Sequence, residues 1–188
     1  KKIQSHLANL EFLYQNKECF FIISNFCNLS FECRDWISEN CNYIIYEHDH
    51  KYLNTRNPAN HRFFKAPQKD LRNFFFYKHA EVVVAQSSFH KEIIEKNLDL
   101  DNVFSIGGNL WSLSSLEKLR NNCKKQKNTK CSVLNSNILH KNTSGAVEYC
   151  DKHGLEYELV SSNAYESFLD KLGANKTFVF LPKTPETL

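Results

Sequence analysis

Short apolar runs and longer helical periods alternate along this chain. Phe20-Phe21-Ile22-Ile23, Tyr43-Ile44-Ile45-Tyr46, Val82-Val83-Val84-Ala85 and Val103-Phe104-Ser105-Ile106 are of strand length and rich in β-branched and aromatic residues. Val82-Val83-Val84-Ala85 has no polar alternation, which predicts a strand buried on both faces. Amphipathic segments stand between these runs. One spans 31–40, with Phe31, Cys33, Trp36 and Ile37 on one side and Ser30 as its cap; another spans 70–79. A third ends at Leu98, with Ser87 or Ser88 as its cap and Phe89, Ile93 and Ile94 on its apolar side. Strand and helix in turn predict a parallel sheet with right-handed crossovers. After a short helix over 113–122, the lysine-rich stretch 123–130 has no apolar period and reads as a linker. The rhythm then restarts with a strand at 131–134, a helix at 141–153, a strand at 157–160, a helix at 165–172 stopped by Gly173, and a strand at 177–181. The predicted class is α/β: two Rossmann-like domains with parallel sheets, 1–112 and 113–188, both incomplete.

Composition narrows the function classes. A chain of 188 residues, 41% hydrophobic and 24% charged, is not disordered throughout. No apolar run reaches the ~20 residues of a membrane-spanning helix, and the start lacks the pattern of a secretion signal. A cytoplasmic protein is therefore expected. The net charge of +3 accommodates a phosphate-bearing ligand without calling for nucleic acid, and peripheral contact with a membrane stays open. Seven cysteines, an odd number without a Cys-x-x-Cys pair, read as small buried thiols rather than zinc ligands or disulfides. The chain begins at Lys1, contains no methionine, and stops at Leu188 where a helix should begin, so it reads as a fragment of a longer protein.

Three stretches carry candidate chemistry. Glu47-His48-Asp49-His50 leaves the second strand at its carboxyl end, where parallel sheets bind ligands, and enters a long polar loop containing Arg56. His48 and His50 allow a metal-dependent hydrolase reading, and His48 with Asp49 allows a general-base or acceptor role; hydrogen bonds that tie down the loop explain the stretch equally well. Lys141, with Ser136 before it, stands where free backbone N–H groups at a helix start make an anion site. Pro182-Lys183-Thr184-Pro185-Glu186 leaves the last strand and brings a glutamate to the next helix. No dinucleotide or P-loop glycine motif occurs.

In their order and spacing these stretches resemble the retaining glycosyltransferases of the two-Rossmann-domain (GT-B) type, near the large family 4 group. The resemblance rests on Tyr46-Glu47-His48-Asp49, Val84-Ala85-Gln86-Ser87, Ile106-Gly107-Gly108-Asn109, Lys141, and Phe180-Leu181-Pro182 through Glu186. It implies transfer of a sugar from a nucleotide-sugar to a glycan or other acceptor, with no metal or other cofactor. On that resemblance Lys141 is the phosphate-binding lysine and Glu186 the first glutamate of an E-x7-E motif. His48 and Asp49 lie near the reacting centre, while Gly108 and Asn109 line the cleft. Ser136 stands where the family often has an arginine, and Asn142 where it has a glycine. A non-catalytic protein that binds nucleotide-sugars or glycans is the third reading.

Overall fold

A computed structural model of the chain describes residues 2–183. They build an α/β protein with two parallel sheets and seven α-helices. The chain divides into two compact units, the first running to Asn109 and the second beginning at Leu110. No helix among the described residues is long and apolar enough to cross a membrane.

The first unit runs α1 (Leu10–Gln15), β1 (Phe21–Ile23), α2 (Phe31–Asn40), β2 (Tyr43–Tyr46), α3 (Phe74–Lys78), β3 (Val82–Ala85), α4 (Ser88–Leu98) and β4 (Val103–Ser105). Ser30 and Ser87 cap α2 and α4 as expected, each hydroxyl accepting from an N–H three residues on. The strands lie in the order β1-β2-β3-β4, all parallel, so every crossover steps one strand in the same direction. Register aligns Ile23, Ile45, Val83 and Val103 across the sheet. This face packs on Leu13, Ile37, Tyr77, Ile94 and Leu98. The other face, with Ile22, Ile44, Val82, Val84 and Phe104, is less covered: Ile22 is 71% exposed and Phe104 60%. Val82–Ala85 thus alternates in burial rather than being covered on both sides. Crossovers of one hand that step one way stack their helices on one face, which is why.

The helix expected over 70–79 is shorter. Asp70 ends a 3₁₀ turn, Leu71 bridges Leu53, and Asn73 is left-handed at φ 57°, so α3 begins only at Phe74.

The second unit runs α5 (Leu113–Lys124), β5 (Asn128–Leu134), α6 (Thr143–Lys152), β6 (Tyr157–Val160), α7 (Tyr165–Leu172) and β7 (Asn175–Val179), with strand order β6-β5-β7. The stretch 123–130 is not a linker: it finishes α5 and starts β5. Its polarity is partly answered within the unit, since the Lys127 ammonium donates to the carbonyls of Asn122 and Gly173 at the ends of α5 and α7. One sheet face carries Cys131, Val133 and Val179 against Ala146 and Cys150. On the other, Ser132 Oγ donates to Leu172 O at 3.2 Å and accepts from Asn175 Nδ2 at 3.0 Å. Gly173 does stop α7, but not through a left-handed turn (φ −80°). A Cβ there would stand 3.0 Å from Leu169 O and 3.3 Å from Asn122 Cβ, so any side chain at this position would press on its neighbours. All seven cysteines are free thiols, but only Cys33, Cys131 and Cys150 are buried.

Candidate functional site

At the carboxyl end of β2 the chain turns around one carboxylate. Glu47 is fully buried. Its Oε1 accepts the backbone N–H groups of His48 (3.1 Å) and Asp49 (2.8 Å) and pairs with the buried Lys51 ammonium at 3.1 Å, while Tyr77 donates its hydroxyl to Oε2. Burial by itself would raise the Glu47 pKa. The Lys51 charge, the Tyr77 hydroxyl and the Asp49 N–H outweigh it and hold the carboxyl below its usual range. With so many donors met, Glu47 is the internal knot of the turn.

Asp49 faces outward. Its Oδ2 lies 3.8 Å from His48 Nδ1 and 3.3 Å from the Arg56 guanidinium. The neighbouring His48 imidazole first, with Lys51 and Arg56 adding, outweighs partial burial and lowers the Asp49 pKa. The structure therefore brings His48, Asp49 and Arg56 together, all of them partly exposed.

His50 goes inward instead. It is fully buried, its Nδ1 2.8 Å from the Tyr52 hydroxyl and its ring 4.4 Å from that of His90 in the first turn of α4. Burial, then the neighbouring His90, pushes its pKa down to about 3; burial likewise lowers His90. Both imidazoles are neutral at pH 7. Gln86, at the end of β3, donates its N–H to His90 Nδ1 at 3.5 Å and its side-chain amide to Asn109 Oδ1. Asn109 and Gly108 follow β4, and a Cβ at Gly108 would meet nothing within 4 Å. Among the described residues no group of three or more His, Cys, Asp or Glu is arranged to hold a metal ion. His48 and His50, the centre of the hydrolase reading, are engaged by different partners.

The second unit's strand order reverses at β5. The connection from β5 leads to β6, and that from β6 crosses back to β7, so the strand order switches between β5 and β7. Open α/β sheets bind ligands at the carboxyl edge of such a switch point. Lys141 lies here, with its ammonium 5.9 Å from the Phe180 ring centre. It sits in the 3₁₀ turn Leu139–Lys141 rather than at the start of the helix, because left-handed Asn142 (φ 55°) intervenes and α6 begins at Thr143. Ser136 is drawn in by Thr143, whose hydroxyl accepts the Ser136 N–H at 3.0 Å and donates to Leu134 O at 2.7 Å. Two bonds join the β5 and β7 exits: Asn142 Nδ2 donates to Leu181 O at 2.7 Å and Lys183 N–H to His140 O at 2.9 Å. Glu186 lies outside the described residues.

Lys51, Tyr77 and His90 were not legible as partners of this region. The one local signal was His90, which falls on the same stripe of α4 as buried Ile93 and Ile94. Compared with models of protein families, with curated proteins and with solved structures, the chain matches none.

Proposed function

We propose that the protein belongs to a glycosyltransferase of the two-Rossmann-domain, retaining kind, with its second unit holding the nucleotide-sugar donor. The observation that carries this reading is the strand-order reversal at β5, with Lys141, Ser136 and the α6 N-terminus at the resulting edge. As the sugar leaves, negative charge builds on the nucleoside diphosphate. A lysine beside helix N–H groups stabilises that charge more in the transition state than in the ground state. On the resemblance, Glu186 orients the donor sugar. In the first unit His48, Asp49 and Arg56 are the acceptor-side groups, with the ionised Asp49 orienting the His48 imidazole, which takes the hydroxyl proton.

Calorimetric titration of the chain with uridine, guanosine and adenosine diphosphates tests the reading. Binding of one of them is expected, weakened roughly tenfold in Lys141→Ala, in line with losing one charge-assisted contact. No binding of any diphosphate, or binding indifferent to Lys141, overturns it. Binding of a nucleotide-sugar without transfer to any hydroxyl acceptor would instead favour the non-catalytic binding reading.

A further inference from the structure

Charge is spread unevenly over the first unit. Residues 50–80 carry seven lysines and arginines against one acid, Asp70; Lys51 and Arg56 are paired with Glu47 and Asp49 just before the stretch, and five cations remain. Inside this stretch, Phe63 and Phe64 are both left-handed, at φ 56° and 60°. Bulky L-residues avoid that region, and strain of this kind persists only where the surroundings over-determine it. The surroundings here are α4. Lys96 Nζ donates to Phe63 O at 2.8 Å. Buried Asn97 donates to Phe64 O at 2.8 Å and accepts the Ala66 N–H at 2.8 Å. The strained loop leaves Phe63 68% exposed. Phe64 meets Phe89 of α4 edge-on at 5.4 Å, and Phe89 is itself 47% exposed. The Phe63 ring gains no burial from the strain that holds it out, while Arg62 and Lys65 flank the pair of rings.

We propose that this knuckle docks on an anionic lipid surface. Phe63, Phe64 and Phe89 enter the boundary between headgroups and acyl chains, and Arg62 and Lys65 pair with the lipid charges. Nucleic acid would suit the charge but not the rings. Base stacking uses open aromatic faces, but the Arg62 guanidinium covers one face of Phe63 and Phe64 is held edge-on against Phe89. Insertion among headgroups needs no open face. Glu92, one turn beyond Phe89 and exposed, tempers the positive field without reversing it.

Co-sedimentation of the chain with phosphatidylcholine vesicles, with and without phosphatidylserine, tests the proposal, beside an anisotropy titration with polyuridylate. Binding to the anionic vesicles is expected and is weakened by salt. Phe63→Asn keeps a residue that tolerates the left-handed region and weakens vesicle binding about tenfold through the lost apolar insertion. Lys65→Glu weakens it by about tenfold or more, as two units of charge are changed near the surface. No binding to anionic vesicles, vesicle binding that both variants leave unchanged, or binding to polyuridylate alone overturns the proposal.

Discussion

The two sheets treat their carboxyl edges in opposite ways. In the first unit the strands step in one direction, one face holds the core, and the acid at the end of β2 is closed in by a lysine, a tyrosine and its own backbone. In the second the order reverses at β5, helices cover both faces, and the edge carries a lysine and a serine beside a helix start. The conspicuous cluster of ionisable residues is largely architectural, and the plainer lysine loop stands where the strand order switches. A run of acids and histidines on a strand end does not by itself mark chemistry; what matters is whether their partners lie inside the fold.

The largest expected effect tests the closed edge. Glu47→Ala leaves Lys51 buried and unpaired, which costs about 3–5 kcal/mol in urea unfolding. Joint replacement by Glu47→Gln and Lys51→Met is expected to be milder, because no lone charge stays buried and the amide oxygen still accepts from the turn's N–H groups. A loss under ~1 kcal/mol in Glu47→Ala would show that the knot does not hold this edge, and the contrast between the sheets would fail.

A smaller effect appears with pH. His50 is neutral when folded because its pKa is lowered to about 3, whereas the unfolded residue titrates near the ordinary ~6.5. Between these values the unfolded chain binds more protons, so stability falls as pH drops from ~6.5 toward 3. His90, also lowered, adds to the slope. Glu47, depressed by its partners, adds its own loss as pH falls through its folded pKa, below the usual carboxylate range. Melting temperatures recorded across this window should fall steadily, and His50→Gln should flatten the upper part of the curve. An unchanged slope in that variant would place the proton uptake elsewhere.

The smallest effect sharpens the view of the second edge. A Cβ on Gly145 would lie 2.3 Å from Asn142 Nδ2, so Gly145→Ala must turn the asparagine away from Leu181 O. Alanine's helix preference, about 1 kcal/mol over glycine, offsets one lost hydrogen bond of ~1 kcal/mol. Stability is expected to change little while diphosphate binding weakens. Unaltered binding would mean that the staple between the β5 and β7 exits does not shape the edge.

Local pattern was enough for most elements. Ser30 and Ser87 were legible as caps because their hydroxyls reach N–H groups three residues away. The four strands of the first sheet and the strand–helix alternation of the second follow from short apolar runs between amphipathic ones. The lysine-rich stretch misled because its cations answer groups of α7 far along the chain: Lys127 reaches the carbonyl of Gly173, 46 positions away, and Lys125 pairs with Asp170. The Val82–Ala85 strand misled because burial depends on which face its neighbours' crossovers cover. Lys141 was seen as part of a helix since the left-handed turn at Asn142 is held by Leu181, 39 residues away.

By itself, then, the sequence determined the class, the element order, the caps and the residues worth watching, because each depends on neighbours within about one helical turn or one strand. Only the tertiary structure decided which of those residues turn inward. Glu47 meets Tyr77 across 30 residues, and His50 meets His90 across a strand and a helix start. Packing brings these partners into a water-poor interior, where a charge must be paired and an imidazole stays neutral, and no local pattern announces which long-range partner will be there.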